Sequence, residues 1–152
     1  MKFRGLDRLK RTIAAMPKET RDEIRKGLDE GASEMVAVAK ALAPRDSGDL
    51  VNSIDKTFGD YRPDNANVRG VGAGGGGHDL AVTIHAGDRK AWYASLVEFG
   101  TAPHVNKGLF AGTQHPGTAA QPYFFPAYRL TRKRMKAKLS RAMRRAIKKA
   151  VS

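Results

Sequence analysis

The sequence predicts an α+β domain in which long N-terminal helices and a basic C-terminal helix pack on a small, mostly antiparallel β-sheet. Three observations point there. Apolar residues recur every three or four positions before residue 43 and again after residue 134, which is the period of a helix face. Between them, Leu80, Val82 and Ile84 alternate as on a strand with one buried side. Helix, strands and helix follow in blocks, the order expected when helices lie on one face of an antiparallel sheet. With 152 residues the chain amounts to one domain, since domains commonly run to about 100–150 residues.

Taken in order, Phe3, Leu6, Leu9, Ile13 and Met16 form a first helical stripe, which Pro17 interrupts. Proline fits a first helical turn but not an interior, so Pro17 opens a second helix. The stripe of that helix is Ile24, Leu28, Met35, Val38 or Ala39, and Leu42, and it ends at Ala43 before Pro44. About 26 residues at about 1.5 Å each make a rod of roughly 39 Å. Gly27 and Gly31 lie one turn apart on it, either for close helix packing or as tolerated surface glycines. Residues 49–101 read as sheet. Val51, Ile54 and Phe58 form one strand, Val68 and Val71 a short one, and Leu80, Val82 and Ile84 a third. Six glycines within residues 70–77 read as a mobile hairpin tip. Residues 92–99 suit a strand or a short helix equally well. Residues 102–121 are a long loop with little apolar content, and residues 123–151 a basic helix. Met135, Leu139, Ala142, Met143, Ala146, Ile147 and Ala150 supply that helix's apolar stripe.

The formal net charge is +13, and its distribution says more than its size. Eleven of the 28 Lys and Arg residues fall within residues 129–149, where there is no acid; the rest of the chain keeps 17 basic against 15 acidic residues. A nearly neutral body therefore carries a cationic tail. No apolar run approaches the roughly 20 residues that span a bilayer, and no apolar region follows Lys2 and Arg4. A soluble, non-secreted protein without a membrane partner is expected. The absence of cysteine excludes disulfides, thiolate zinc sites and thiol catalysis.

Candidate chemistry is sparse. Gly70, Gly72 and Gly75 have a GxGxxG spacing, but a dinucleotide site needs a strand before it and a helix after it, and here a strand follows. His78, His85, His104 and His115 lack the spacing that preorganises metal ligands, leaving only loop closure by His104 and His115. Ser47, Ser53 and Ser95 stand in no nucleophile elbow, and Asp46 and Asp49 flank a Ser-Gly turn where such residues bend backbone. The expectation is a non-enzymatic protein with no catalytic residues, no cofactor and no metal. The tail is the strongest binding signal. Arg132, Lys133, Arg134, Lys138, Arg141, Arg144, Arg145 and Lys148 are candidate contacts to nucleic-acid phosphates or to an acidic protein, with a solvated face as the plain alternative. No aromatic residue after Tyr128 is present to stack on bases.

Three segments carry a family pattern. They are Ala43-Pro44-Arg45-Asp46-Ser47-Gly48-Asp49-Leu50 running on to Ser53-Ile54, Trp92-Tyr93-Ala94-Ser95-Leu96-Val97-Glu98-Phe99-Gly100-Thr101, and Gln121-Pro122-Tyr123-Phe124-Phe125-Pro126-Ala127. In this order, between a long helix and a charged one, they resemble the tailed-bacteriophage neck proteins: minor tail components and tail-completion or head–tail joining proteins. The resemblance implies a virion structural protein, assembled in the host cytoplasm into a homo-oligomeric ring, most commonly a hexamer. Its implied neighbours are a head connector or stopper protein on one side and a tail terminator or tail tube protein on the other, with non-specific contact to packaged DNA. The tail-terminator position of the same junction is a close variant of this implied role. A ring needs two different complementary surfaces on each subunit. Glu98, Phe99, Thr101, Tyr123, Phe124 and Phe125 are the implied interface residues, with Glu98 and Thr101 fixing the turn about Gly100; the aromatic cluster serves equally well as intrachain core. The alternative from another class is a DNA-binding protein acting through its basic helix alone.

Overall fold

A computed structural model describes residues 15–63 and 79–151. The first predicted stripe up to Ile13, the short strand at Val68 and Val71, the glycine-rich tip and His78 lie outside the described residues. The fold is α+β: two long helices form one layer, two short antiparallel strand pairs and two small helices the rest.

Helix α1, Lys18–Leu42, starts directly after Pro17, whose carbonyl accepts the Arg21 N–H at 3.1 Å. It closes with the Ala43 N–H on the Ala39 carbonyl at 2.9 Å, and Pro44 then blocks continuation. Both boundaries agree with the proline reading. The buried face follows the predicted stripe only in part and takes in small residues as well. Thr20, Ile24, Gly27, Gly31, Ala32, Met35 and Ala39 are buried, whereas Leu42 is exposed.

The next segment corrects the strand expected around Val51. Asp49–Ser53 is a helical turn, α2, and the strand begins only at Asp55. Its cause is local. Gly48 takes a left-handed conformation at φ 88°, the Ser47 hydroxyl accepts the Asp49 N–H at 3.3 Å, and the Asn52 N–H reaches the Gly48 carbonyl at 3.0 Å. Leu50, Ser53 and Ile54 then share one buried side at spacings of three and four, which the sequence also permitted.

Strand β1, Asp55–Phe58, pairs antiparallel with β2, Val82–His85, in the register Asp55 to His85 and Phe58 to Val82. This ribbon lies along α1, where the Arg25 guanidinium sits 4.4 Å from the Phe58 ring centroid and Lys56 pairs with Asp29. The undecided segment resolves as helix α3, Ala94–Phe99, ended by Gly100 at φ 69°. A side chain at Gly100 would meet the Thr118 carbonyl oxygen at 2.5 Å, so that turn requires glycine.

The predicted sheet region thus contains two helices, and the predicted loop contains a hairpin. Strand β3, His104–Val105, pairs with β4, Gln114–His115, across a 3-10 turn at Gly108–Phe110. Helix α4, Phe124–Val151, has 28 residues, or about 42 Å, and returns antiparallel along α1 in the largest interface of the fold. The helices approach closely where small residues face each other: Gly27 of α1 lies against Ala142 of α4 and Gly31 against Met135, and Ala127, Thr131 and Ala146 of α4 and Ala32 of α1 are buried. Met143 and Ile147, placed in the stripe by periodicity, are exposed.

Residues of all three family segments converge on one core at the C-terminal end of α1. Ala43, Leu50 and Ile54 come from the first, Ala94 from the second, and Tyr123 and Ala127 from the third, with Ala39 between them.

Candidate functional site: the α3–α4 joint and the cationic face of α4

The joint is organised by Glu98, a carboxylate only 6% exposed. Its Oε2 accepts the backbone N–H of Tyr123 at 2.7 Å and of Phe124 at 2.8 Å, and its Oε1 accepts that of Phe125 at 3.0 Å. The first N–H groups of a helix have no partner within it and carry its positive dipole end, so a carboxylate there satisfies donors and charge together. The Gln121 N–H adds a bond to the Val97 carbonyl at 2.8 Å. Tyr123 is 1% exposed, with its hydroxyl 3.4 Å from the Ala94 carbonyl. Burial first, then the charge of Glu98 and the neighbouring Tyr93, push its phenol pKa up, which keeps it un-ionised.

Beside the joint opens a groove of about 240 Å³ whose walls include Tyr61, Ile84, His85, Glu98, Phe99 and Phe125. Tyr61 stacks on His85 at 4.1 Å between centroids, and Thr57 Oγ1 lies 3.1 Å from His85 Nε2. Both Glu98 oxygens are already held by backbone.

The structure therefore divides the six implied interface residues. Glu98 and Tyr123 are occupied inside the chain, and Phe124 is half-buried against the core. Thr101 exchanges backbone hydrogen bonds with Thr118 at 2.9 and 3.1 Å, closing the base of the hairpin. Phe99 and Phe125 face outward, 67% and 47% exposed, with ring centroids 5.9 Å apart. The hairpin tip adds Leu109, 96% exposed.

The basic residues of α4 also divide. Glu34 of α1 pairs with Arg134 and, at 2.8 Å, with Lys138; Glu23 pairs with Arg145 and, at 3.7 Å, with Lys149. The hydrogen bond from Arg145 holds the Glu23 carboxyl below its ordinary pKa, and that from Lys138 does the same for Glu34. Arg132, Lys133, Arg141 and Arg144 are exposed and in no ion pair among the described residues, and Lys148 is exposed. Arg129 and Lys136, outside the candidate contact set, share that open face.

Loop closure does bring His104 and His115 together, directly opposed in the β3–β4 register with ring centroids 5.0 Å apart. His104 Nδ1 lies 3.0 Å from the Ala102 carbonyl, and the Gly117 N–H lies 3.0 Å from His115 Nδ1. Among the described residues no group of three or more His, Cys, Asp or Glu side chains is placed to hold a metal ion, and no helix is long and apolar enough to cross a membrane.

Of the two readings offered for Gly27, close helix packing holds: a Cβ there would lie 2.3 Å from the Cβ of Ala142, a partner that spacing along the chain did not name.

A family model described as "Bacteriophage HK97-gp10, putative tail-component" matches residues 7–100. No curated protein and no solved structure matches the chain. The matched span contains α1, α2, β1, β2 and α3 with Glu98, and so two of the three segments that meet in the core. It takes in well over half of the 152 residues, and the chain therefore belongs to the HK97-gp10-like family of phage tail components.

Proposed function

We propose that this tail component is a non-enzymatic ring subunit of the head–tail junction, a tail-completion or head–tail joining protein, with the tail-terminator position as its close variant. It assembles in the host cytoplasm as a homo-oligomer, most simply a hexamer, between a head connector or stopper and the tail terminator or tail tube. The observation that carries the reading is the outward pair Phe99 and Phe125, set on a joint whose polar groups are spent internally. Two exposed aromatic rings on a rigid support suit an anchor for a neighbouring subunit, where aromatic side chains contribute most of the binding energy.

Mass measurement of the full chain, alone and with tail and connector proteins, tests this. A chain that stays monomeric and enters no ring or particle removes the reading. Phe125→Ala is expected to leave melting nearly unchanged, because the ring is half exposed, and to abolish or strongly weaken assembly. Normal assembly of Phe99→Ala, Phe125→Ala would dismiss these rings as the anchor.

A second reading, a DNA-binding protein acting through α4 alone, is favoured by the exposed cations of that helix. It predicts DNA binding by a monomer that never joins a particle.

A further inference from the structure

We propose that the outward face of α4 is a track for the phosphate backbone of duplex DNA, formed by Arg129, Arg132, Lys133, Lys136, Arg141 and Arg144. The proposal rests on the tail assignment for the occasion on which the protein meets DNA; its chemistry does not require a ring. The chain holds no Asp or Glu after Glu98, so α4 cannot neutralise itself. Among the described residues its ion-pair partners come from α1, where Glu23 and Glu34 engage Arg134, Lys138, Arg145 and Lys149 along one flank. The six track residues are exposed and in no ion pair among the described residues.

Helix geometry orders them. At about 100° per residue, Arg129, Lys133, Lys136 and Arg144 fall within an arc of about 80° opposite the seam with α1, and Arg132 and Arg141 flank it on either side. The stripe runs for about 22 Å at about 1.5 Å per residue. Duplex DNA presents one charge per about 1.7 Å of axis, so a rigid row of this length meets several phosphates at once. Its rigidity follows from the close-packed seam and the capped N-terminus.

The composition of the face favours DNA over an acidic protein. Protein interfaces admit Arg but deplete Lys, and they place aromatic and other apolar residues at their centre. Here Arg and Lys hold the centre from Arg129 to Arg144, while the exposed Leu130 lies at an edge, Met143 beside the flank and Ile147 beyond the last track cation. Nothing on the track can stack on or read a base edge: the contact is to backbone and carries no sequence preference.

The test is a salt titration of the full-length protein on a short duplex of arbitrary sequence, followed by anisotropy. Six contacts give a slope of log affinity against log salt near about −5, a loss of about 10³-fold between about 50 and 200 mM. Arg129→Gln, Lys133→Gln, Lys136→Gln and Arg144→Gln together should bring the slope to about −2. The matched set Arg134→Gln, Lys138→Gln, Arg145→Gln and Lys149→Gln removes the same charge from the clamped flank and should leave it within about one unit. Single substitutions, Lys133→Gln against Lys149→Gln, repeat the contrast if the clamped set melts early. A wild-type slope near zero, equal falls for both sets, or equal binding to polyglutamate would each overturn the track. Ring mass measured on the same variants separates this from the assembly reading: track variants that lose DNA but still assemble support both, and loss of assembly by wild type alone bears only on the ring.

Discussion

The two ends of α4 are held by different physics. At its N-terminus a buried carboxylate takes three backbone N–H groups and a buried tyrosine fills the core. Farther along, the helix is held by the contact of small residues and by ion pairs at the surface. At the first end three donors depend on one carboxylate, and a buried donor left unpaired costs about 1–3 kcal/mol. The second spreads its stability over many weak contacts. Single substitutions should therefore be severe at the joint and graded along the seam.

The largest effect is expected at Tyr123. Tyr123→Ala empties a fully enclosed position and should cost about 3–5 kcal/mol, or a melting temperature lower by about 10 °C for a chain of this length. Glu98→Gln keeps one acceptor oxygen but places an amide among backbone donors, and should cost about 1–3 kcal/mol. Both are read by thermal or denaturant unfolding. If Glu98→Gln melts as wild type, the joint is no stronger than the seam and the comparison fails.

How much of this was legible depends on what each element answers to. The prolines bounding α1 act within a residue or two of themselves, so its limits could be read directly. The three segments were recognisable in the chain, and they meet in one core. The interaction that joins two of them was not readable, because Glu98 reaches donors 25 to 27 positions away that only the fold brings near. The strand expected at Val51 failed because Leu50, Ser53 and Ile54 fit a helical spacing too, and the left-handed Gly48 chose it. The stripe on α4 holds at Ala142 and Ala146, which are buried, but not at Met143 and Ile147, which periodicity added because it weights large apolar residues. A seam that excludes them needs the partner helix to be known.

That seam makes a paired prediction of smaller size. Gly27→Ala places a Cβ 2.3 Å from that of Ala142, which neither helix backbone can relieve by rotating a side chain. The helices must part, at about 1–3 kcal/mol, set against about 1 kcal/mol gained in helix propensity. Gly31→Ala meets Met135 at 3.5 Å, an ordinary contact, and should instead stabilise by about 0.5–1 kcal/mol. One turn apart, the two substitutions should change stability in opposite directions. Ala142→Gly should recover part of the Gly27→Ala loss, a coupling that a double-mutant cycle measures directly.

The weakest hold is the ion-pair flank, and pH isolates it. The carboxyls of Glu23 and Glu34 are held below their ordinary pKa by hydrogen bonds from Arg145 and Lys138. Between the folded and the ordinary value the unfolded chain binds more protons, so stability rises with pH across that window. The contribution is complete above the ordinary carboxylate range and is lost as pH falls through the depressed folded values. Both pairs reach solvent, so it should be small and should shrink further in high salt. Melting temperature followed downward from neutral pH should fall less steeply in Glu23→Gln, Glu34→Gln than in wild type, and added salt should narrow the gap. An identical acid limb in the two proteins would place the whole hold on α4 in the small-residue seam and the Glu98 cap.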